Sequence, residues 1–285
     1  MTARFFGALL SVGLLAAPAS AAFAPMTIYG ADDRREVMEA PRNIQELARS
    51  VAGKVPRASL RKTGDGWLLE SKRLGEKYCP DIRFAEQYTG PQCTGFLSAA
   101  GTLVTAGHCV KDEGDCSGFV WVFDFQLTAA GDSGYLRIPA ENAYSCKRVV
   151  ARETRPFDGV DFAVLELDRP AAERRPLDLD MAGTPLPGRA LFVIGHPSGL
   201  PMKAAEGGHV QQSGPYSFTA DLDTFHGNSG SPVFAAMTGE VLGILSAGPG
   251  DYRRGGGRAC KVPIVCRPGD KCAPTTVSRV SNIPR

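Results

Sequence analysis

Between Phe119 and Leu127 the chain alternates with a period of two. Phe119, Trp121, Phe123, Phe125 and Leu127 put large apolar side chains on one face of an extended segment and smaller or polar residues on the other. A helix would scatter these side chains around its circumference, so the run predicts a half-buried strand. Shorter strand candidates follow the same logic at 102–106, 147–151, 161–167, 190–194, 217–220, 232–235 and 241–246, punctuated by Gly, Pro and Asp clusters. Many short strands with turn signals between them, and few helix signals, predict an antiparallel all-β architecture, a barrel or a sandwich. Ahead of Cys79 the composition is charged and loop-like. One helical repeat stands out there, with Ile44, Leu47, Ala48 and Val51 at helical spacing. The expected organisation is therefore an N-terminal extension or propeptide over 22–78 and a globular domain over 79–285.

The extreme N-terminus carries Arg4, an apolar run over 5–17, the helix breaker Pro18 and the small residues Ala19, Ser20 and Ala21. This pattern predicts a signal peptide over 1–21. The run is shorter than the roughly 18 to 20 residues that span a bilayer, and no later stretch is long and apolar enough, so no membrane span is expected. A secreted or periplasmic location follows. The eight cysteines fit that compartment as disulfides. No Cys-x-x-Cys pair occurs, and Cys260, Cys266 and Cys272 are spaced more widely than most zinc ligands, so neither metal nor cofactor is expected. A formal charge of +2 and the lack of basic runs interleaved with aromatics argue against nucleic acid or an anionic membrane as partner.

Three short segments carry chemistry. Thr105-Ala106-Gly107-His108-Cys109 follows the apolar strand that ends at Val104 and holds a histidine at a strand end, suited to a base that must not wander. Gly159-Val160-Asp161-Phe162-Ala163-Val164-Leu165 sets an acid at the head of an apolar strand. A buried carboxylate there can fix an imidazole tautomer and stabilise the imidazolium. Asp158 is the neighbouring rival, but Asp161 abuts the apolar run directly. Phe225-His226-Gly227-Asn228-Ser229-Gly230-Ser231-Pro232 places a serine between glycines, so the backbone can turn tightly and aim amides into one concave spot. Each segment alone has a bland reading, as a surface histidine, a buried acid or a Gly/Ser turn.

In the order His, Asp, Ser, these segments resemble the trypsin-like serine peptidases, and more narrowly their bacterial glutamyl-endopeptidase-like branch, over about Cys79 to the C-terminus. The resemblance implies two six-stranded antiparallel β-barrels with an active site in the cleft between them. It implies His108, Asp161 and Ser229 as a catalytic triad, and the amides of Gly227 and Ser229 as an oxyanion hole. It further implies Ser246 and Gly248 along the cleft and a Cys93–Cys109 disulfide beside the histidine. Protein or peptide substrates follow; an oligomeric state does not. Counting back from Ser229 puts Asp223 and Thr224 on the segment that forms the specificity pocket in such relatives. An acid at Asp223 favours cleavage after Arg or Lys, whereas Leu245 stands where glutamate-cutting relatives carry a histidine. Animal trypsin-like zymogens place an Asp before the nucleophile to receive a freed N-terminal amine. This chain has the uncharged Asn228 instead. His196 and His209 lack an acid-headed strand and a bridged neighbour and are expected to be structural or surface residues, while His226 lies close enough to Ser229 to meet substrate. The competing class of function is a catalytically silent protein-binding module on the same fold.

Overall fold

The computed structural model describes residues 28–129, 131, 136–246, 250–255, 257, 259–267, 270 and 273–284, so the expected signal peptide lies outside the described residues. In chain order the principal elements are β1 (Arg34–Glu36), α1 (Arg42–Ala48), β2 (Val51–Pro56), β3 (Cys93–Ala99), β4 (Thr102–Thr105), β5 (Phe119–Phe123), β6 (Ala143–Arg155) and β7 (Val160–Leu167). They continue with β8 (Ala190–Gly195), β9 (Lys203–Ser213), β10 (Ser217–Ala220), β11 (Pro232–Ala235), β12 (Val241–Ser246) and β13 (Thr275–Arg279). The first barrel closes in the order β6, β7, β4, β3, β2, β5. The second runs β8, β11, β12, β13, β10, β9 and closes through β8–β9 pairing, with β1 added as an edge on β9. All of these pairings are antiparallel, as expected for two six-stranded barrels.

Alternation along the strands explains the packing. On β8, Leu191 and Val193 enter the interior of the second barrel together with Val210, Phe218, Val233, Leu242 and Val277, whereas Phe192 and Ile194 face the other way. There they join a cluster that includes Phe96, Leu103, Trp121 and Phe162 of the first barrel. One apolar core therefore runs across the junction of the barrels. The aromatic run behaves differently from its sequence pattern. β5 ends at Phe123 because Asp124 takes a left-handed backbone (φ 55°), which breaks the strand and reverses the alternation. Trp121 and Phe123 stay in the junction core, while Phe125 lands among Val55, Leu69, Val120 and Val122.

Residues 28–78, expected as an extension, are woven into both barrels. β2 pairs with β3 on one side and β5 on the other, and β1 pairs with β9 at Lys203–Ala205. The sequence hides β2 because five of its six residues, Val51–Val55, are buried, so no polar alternation marks it. The helical repeat forms α1, with Ile44 and Ala48 buried, but Val51 belongs to β2. Disulfides join Cys79 to Cys260, Cys93 to Cys109, as the resemblance implied, and Cys116 to Cys146.

The join between β1 and β9 is charged. Lys203 is 2% exposed, and its ammonium donates to Glu36 Oε2 (2.9 Å), Gln87 Oε1 (2.9 Å) and the Pro201 carbonyl (2.7 Å). All three protons are thus satisfied. Removing one member of a buried pair strands the other charge, so Lys203→Met is expected to lower unfolding free energy by about 3–5 kcal/mol in denaturant titrations. The double variant Lys203→Met/Glu36→Met should recover most of that loss; no recovery would mean that the pair is not the source.

Candidate active site

His108 sits in a single 3-10 turn, Gly107–Cys109, directly after β4, and Asp161 is the second residue of β7. β4 and β7 are hydrogen-bonded neighbours, which brings the two side chains together. Asp161 grips the histidine twice. Its Oδ1 accepts the His108 amide at 2.9 Å, and its Oδ2 lies 2.6 Å from His108 Nδ1. The hydroxyl of Ser246, at the end of β12, donates to the same Oδ2 at 2.7 Å. The Asp161 amide donates to Ser278 Oγ on β13 at 3.1 Å. Asp161 of the first barrel is thereby tied to two strands of the second, through its carboxylate to β12 and through its amide to β13. Asp161 is buried, which by itself would push its carboxyl up, but the hydrogen bonds from His108 and Ser246 and the imidazole charge hold it below its usual value. Asp158, the rival acid, is exposed and paired with Arg155 at 2.8 Å.

Ser229 lies on the loop between β10 and β11. Its carbonyl accepts the Thr94 amide at 2.8 Å and lies 3.6 Å from Cys109 Sγ, and His108 Nε2 lies 3.9 Å from the same sulfur. The Cys93–Cys109 bridge thus has the histidine ring and the serine backbone against one atom. Cys93, His108 and Cys109 also form the one grouping of potential metal ligands among the described residues, but both sulfurs are consumed in the disulfide.

The turn before Ser229 is fixed from several sides. The Asn228 amide donates to the Phe225 carbonyl (2.9 Å), the Ser231 amide to the Asn228 carbonyl (2.8 Å) and the Thr94 hydroxyl to the Gly227 carbonyl (2.7 Å). Gly227 has φ +91°, and a Cβ there would stand 2.3 Å from the His196 carbonyl, so only glycine fits. Among the described residues no acceptor takes up the amides of Gly227 and Ser229. Two amides without acceptors thus lie on one tight turn.

The remaining candidates are placed as follows. Ser246 meets Asp161 as described, and Gly248 lies outside the described residues. Thr224 is buried with its hydroxyl 3.1 Å from that of Thr275. Asp223 is 3% exposed; its Oδ1 accepts the Tyr29 amide at 2.7 Å and its Oδ2 the Asp33 amide at 3.0 Å. His196 is fully buried, its Nδ1 3.1 Å from the Leu200 carbonyl, and burial pulls the ring down to about 3, so it is neutral and structural. His209 is exposed. His226 is exposed and paired with Asp251 at 2.5 Å. It borders a cavity of about 620 Å³, also lined by Gln92, Ser198, Gly199, Lys72 and Lys77. Sequence reading missed Thr94 and Ser278, for which nothing in the local pattern gives a signal.

Two six-stranded antiparallel barrels, each closed, define the chymotrypsin fold. The family model for the trypsin-like peptidase domain matches residues 93–244, more than half of the chain, and the protein belongs to that family. Comparison with curated proteins finds no match. Among solved structures, the chain is similar to a Glu endopeptidase (TM-score 0.50, 15% identity, 89% of this chain and 94% of the other covered). It is also similar to the Vibrio cholerae VesB protease (TM-score 0.51, 16% identity, 90% and 64% covered). An inactivated protease paralogue of the scabies mite matches as well (TM-score 0.52, 14% identity, 88% and 92% covered). At these identities the likeness is one of fold. No helix among the described residues is long and apolar enough to cross a membrane.

The acid limb of stability tests the carboxylate's environment. Asp161 is held below its usual 3.8 in the fold, so its contribution is complete above that value and is lost as pH falls through the folded one. Ser246→Ala removes a donor to the charged form and moves the folded value back towards the unfolded one. Thermal unfolding is expected to show the variant less stable by about 1–2 kcal/mol above roughly pH 4, with the gap closing towards about pH 2. A gap that persists undiminished in acid would rule this out.

Proposed function

We propose that the protein is an exported serine endopeptidase that hydrolyses peptide bonds of protein or peptide substrates through a Ser229 acyl-enzyme. The observation that carries this reading is the doubly held His108–Asp161 pair set against a turn with two vacant amides. Ser229 Oγ attacks the carbonyl carbon of the scissile bond while its proton passes to His108 Nε2. Asp161 fixes the tautomer with Nδ1–H and stabilises the imidazolium, and the oxyanion is received by the amides of Gly227 and Ser229. The imidazolium then gives its proton to the departing amine as the carbon–nitrogen bond breaks. Water repeats the sequence on the acyl-enzyme, with His108 taking its proton and Ser229 leaving with one. By the family resemblance, the segment from Ser246 to Gly248 would pair with substrate backbone. The cavity beside His226 can take the chain on the leaving side.

Three disulfides among the described residues suit an oxidising compartment and support a secreted or periplasmic location. Thr224, committed to Thr275 inside the second barrel, shapes the pocket region from behind. Asp223 enters this reading as an anchor, because both of its oxygens are already taken up by backbone amides of residues 29–33.

Ser229→Ala or His108→Ala is expected to lower turnover by about four orders of magnitude with an unchanged circular dichroism spectrum. A fluorophosphonate probe should label the native chain at Ser229 and neither variant. Native protein that binds peptides yet resists both labelling and turnover would favour the silent binding module.

A further inference from the structure

The turn 225–231 is held only in part by its own hydrogen bonds, from the Asn228 amide to Phe225 and from the Ser231 amide to Asn228. It contains Gly227 and Gly230, both with positive φ, and it must hold two amides without acceptors. In zymogens with an acid before the nucleophile, an ion pair to a freed terminal amine supplies the order, but Asn228 carries no charge. Its Oδ1 is buried and accepts no hydrogen bond among the described residues.

Several contacts reach the turn's N-terminal side. The His226 amide donates to Asp251 Oδ2 at 2.6 Å, the His226 carbonyl accepts the Ser198 amide at 2.7 Å, and the Phe225 ring centroid lies 5.4 Å from that of Tyr252. Two more contacts come from one arm, residues 29–34. The first is the pair of amides on Asp223 described above. The second is Arg34, only 2% exposed, whose guanidinium carbon lies 4.1 Å over the ring of Phe225. Arg34 is in turn fixed by Asp32, with Nε donating to Oδ1 at 2.8 Å and Nη2 to Oδ2 at 2.6 Å. The arm cannot slide. Tyr29 donates its hydroxyl to the Ala273 carbonyl at 2.6 Å, residues 28–29 pair with 265–266, and β1 is locked to β9 by the buried Glu36–Lys203 pair. Phe225 passes the constraint on, because its carbonyl accepts the Asn228 amide and so closes the turn beside Ser229.

We infer that residues 29–34 are a positioning device of the oxyanion turn, acting beside Thr94, with Arg34 and Asp223 as positioning residues, so that the site is ordered by an internal segment without a freed N-terminal amine. The inference rests on the peptidase reading for its kinetic consequences, but the ordering itself is a property of the fold. It assigns Asp223 to the arm in place of a cationic substrate side chain. Asp33 fits that assignment: burial pushes both Asp33 and Asp223 up, and the neighbouring Asp223 carboxylate raises Asp33 further, which disfavours full negative charge on these carboxyls.

The test uses the full chain lacking only residues 1–21. Arg34→Met and Asp223→Asn are each expected to lower kcat about tenfold to a hundredfold, somewhat less than deletion of an oxyanion donor, with KM changed less than about twofold. The factor should be the same for peptides with Arg, Lys, Glu or Ala before the scissile bond, and the fluorophosphonate labelling rate should fall in parallel. A loss confined to Arg and Lys substrates in Asp223→Asn would return that carboxylate to substrate recognition and overturn the assignment. In case a variant fails to fold, a chain with an affinity tag joined ahead of Ala22 gives an independent readout. It should label at the native rate, whereas labelling that requires tag removal would show that a free amine is needed. Hydrogen exchange of the 225–231 amides reads the same ordering without turnover. Protection should be kept in the tagged chain and lost in Arg34→Met; unchanged protection in Arg34→Met would refute the role of the arm. A native chain that shows this exchange pattern but never labels would refute the peptidase reading alone.

Discussion

The buried carboxylate of Asp161 is the contact on which both the docking of the barrels and the geometry of the site depend. A carboxylate taken out of water is costly unless it is hydrogen-bonded several times over, and here every donor has a structural origin. His108 supplies its amide and its ring from the first barrel, and Ser246 supplies a hydroxyl from the second. Ser278, also of the second barrel, accepts the Asp161 amide. Because the partners sit on separate barrels, the charge is satisfied only when the barrels are packed as they are. The apolar core that runs through Phe162, Ile194 and Phe234 provides the adhesive part of that packing, and the carboxylate fixes its register.

The turn at Ser229 has the opposite character. Among the described residues the amides of Gly227 and Ser229 have no acceptor, which is unfavourable for folding. Such a feature survives where the surroundings over-determine it. The turn is held on one flank by Thr94, which bonds both Gly227 and Ser229 carbonyl oxygens, and on the other by the contacts of the N-terminal arm with Asp223 and Phe225. Stability drawn from the barrels and the arm is thus used to keep a small strained loop in one shape.

Relatives that share the fold at 14–16% identity include proteases and an inactivated paralogue, so the fold by itself does not decide whether a chain turns over substrate. In this protein the Nδ1–Oδ2 contact and the second carboxylate oxygen on the His108 amide are both present.

Much of this was legible in the sequence. Strands marked by alternation or a bounded apolar run, such as 217–220, 232–235 and 241–246, appear with those bounds, and two of the three motifs name residues, His108 and Asp161, that the fold joins by hydrogen bonds. What escaped did so for physical reasons. β2 is buried on both faces and carries no period, and Asp124 reverses an aromatic run through a single left-handed residue. Asp223 had the same letter whether it met a substrate cation or a backbone amide. Local pattern determines which segments extend, which turn, and which residue types could do chemistry together. Tertiary structure alone decided that the segment ahead of Cys79 is part of the barrels, and whose amides occupy the buried carboxylate. Those contacts join residues nearly two hundred positions apart, and no short stretch of sequence records the distance between them.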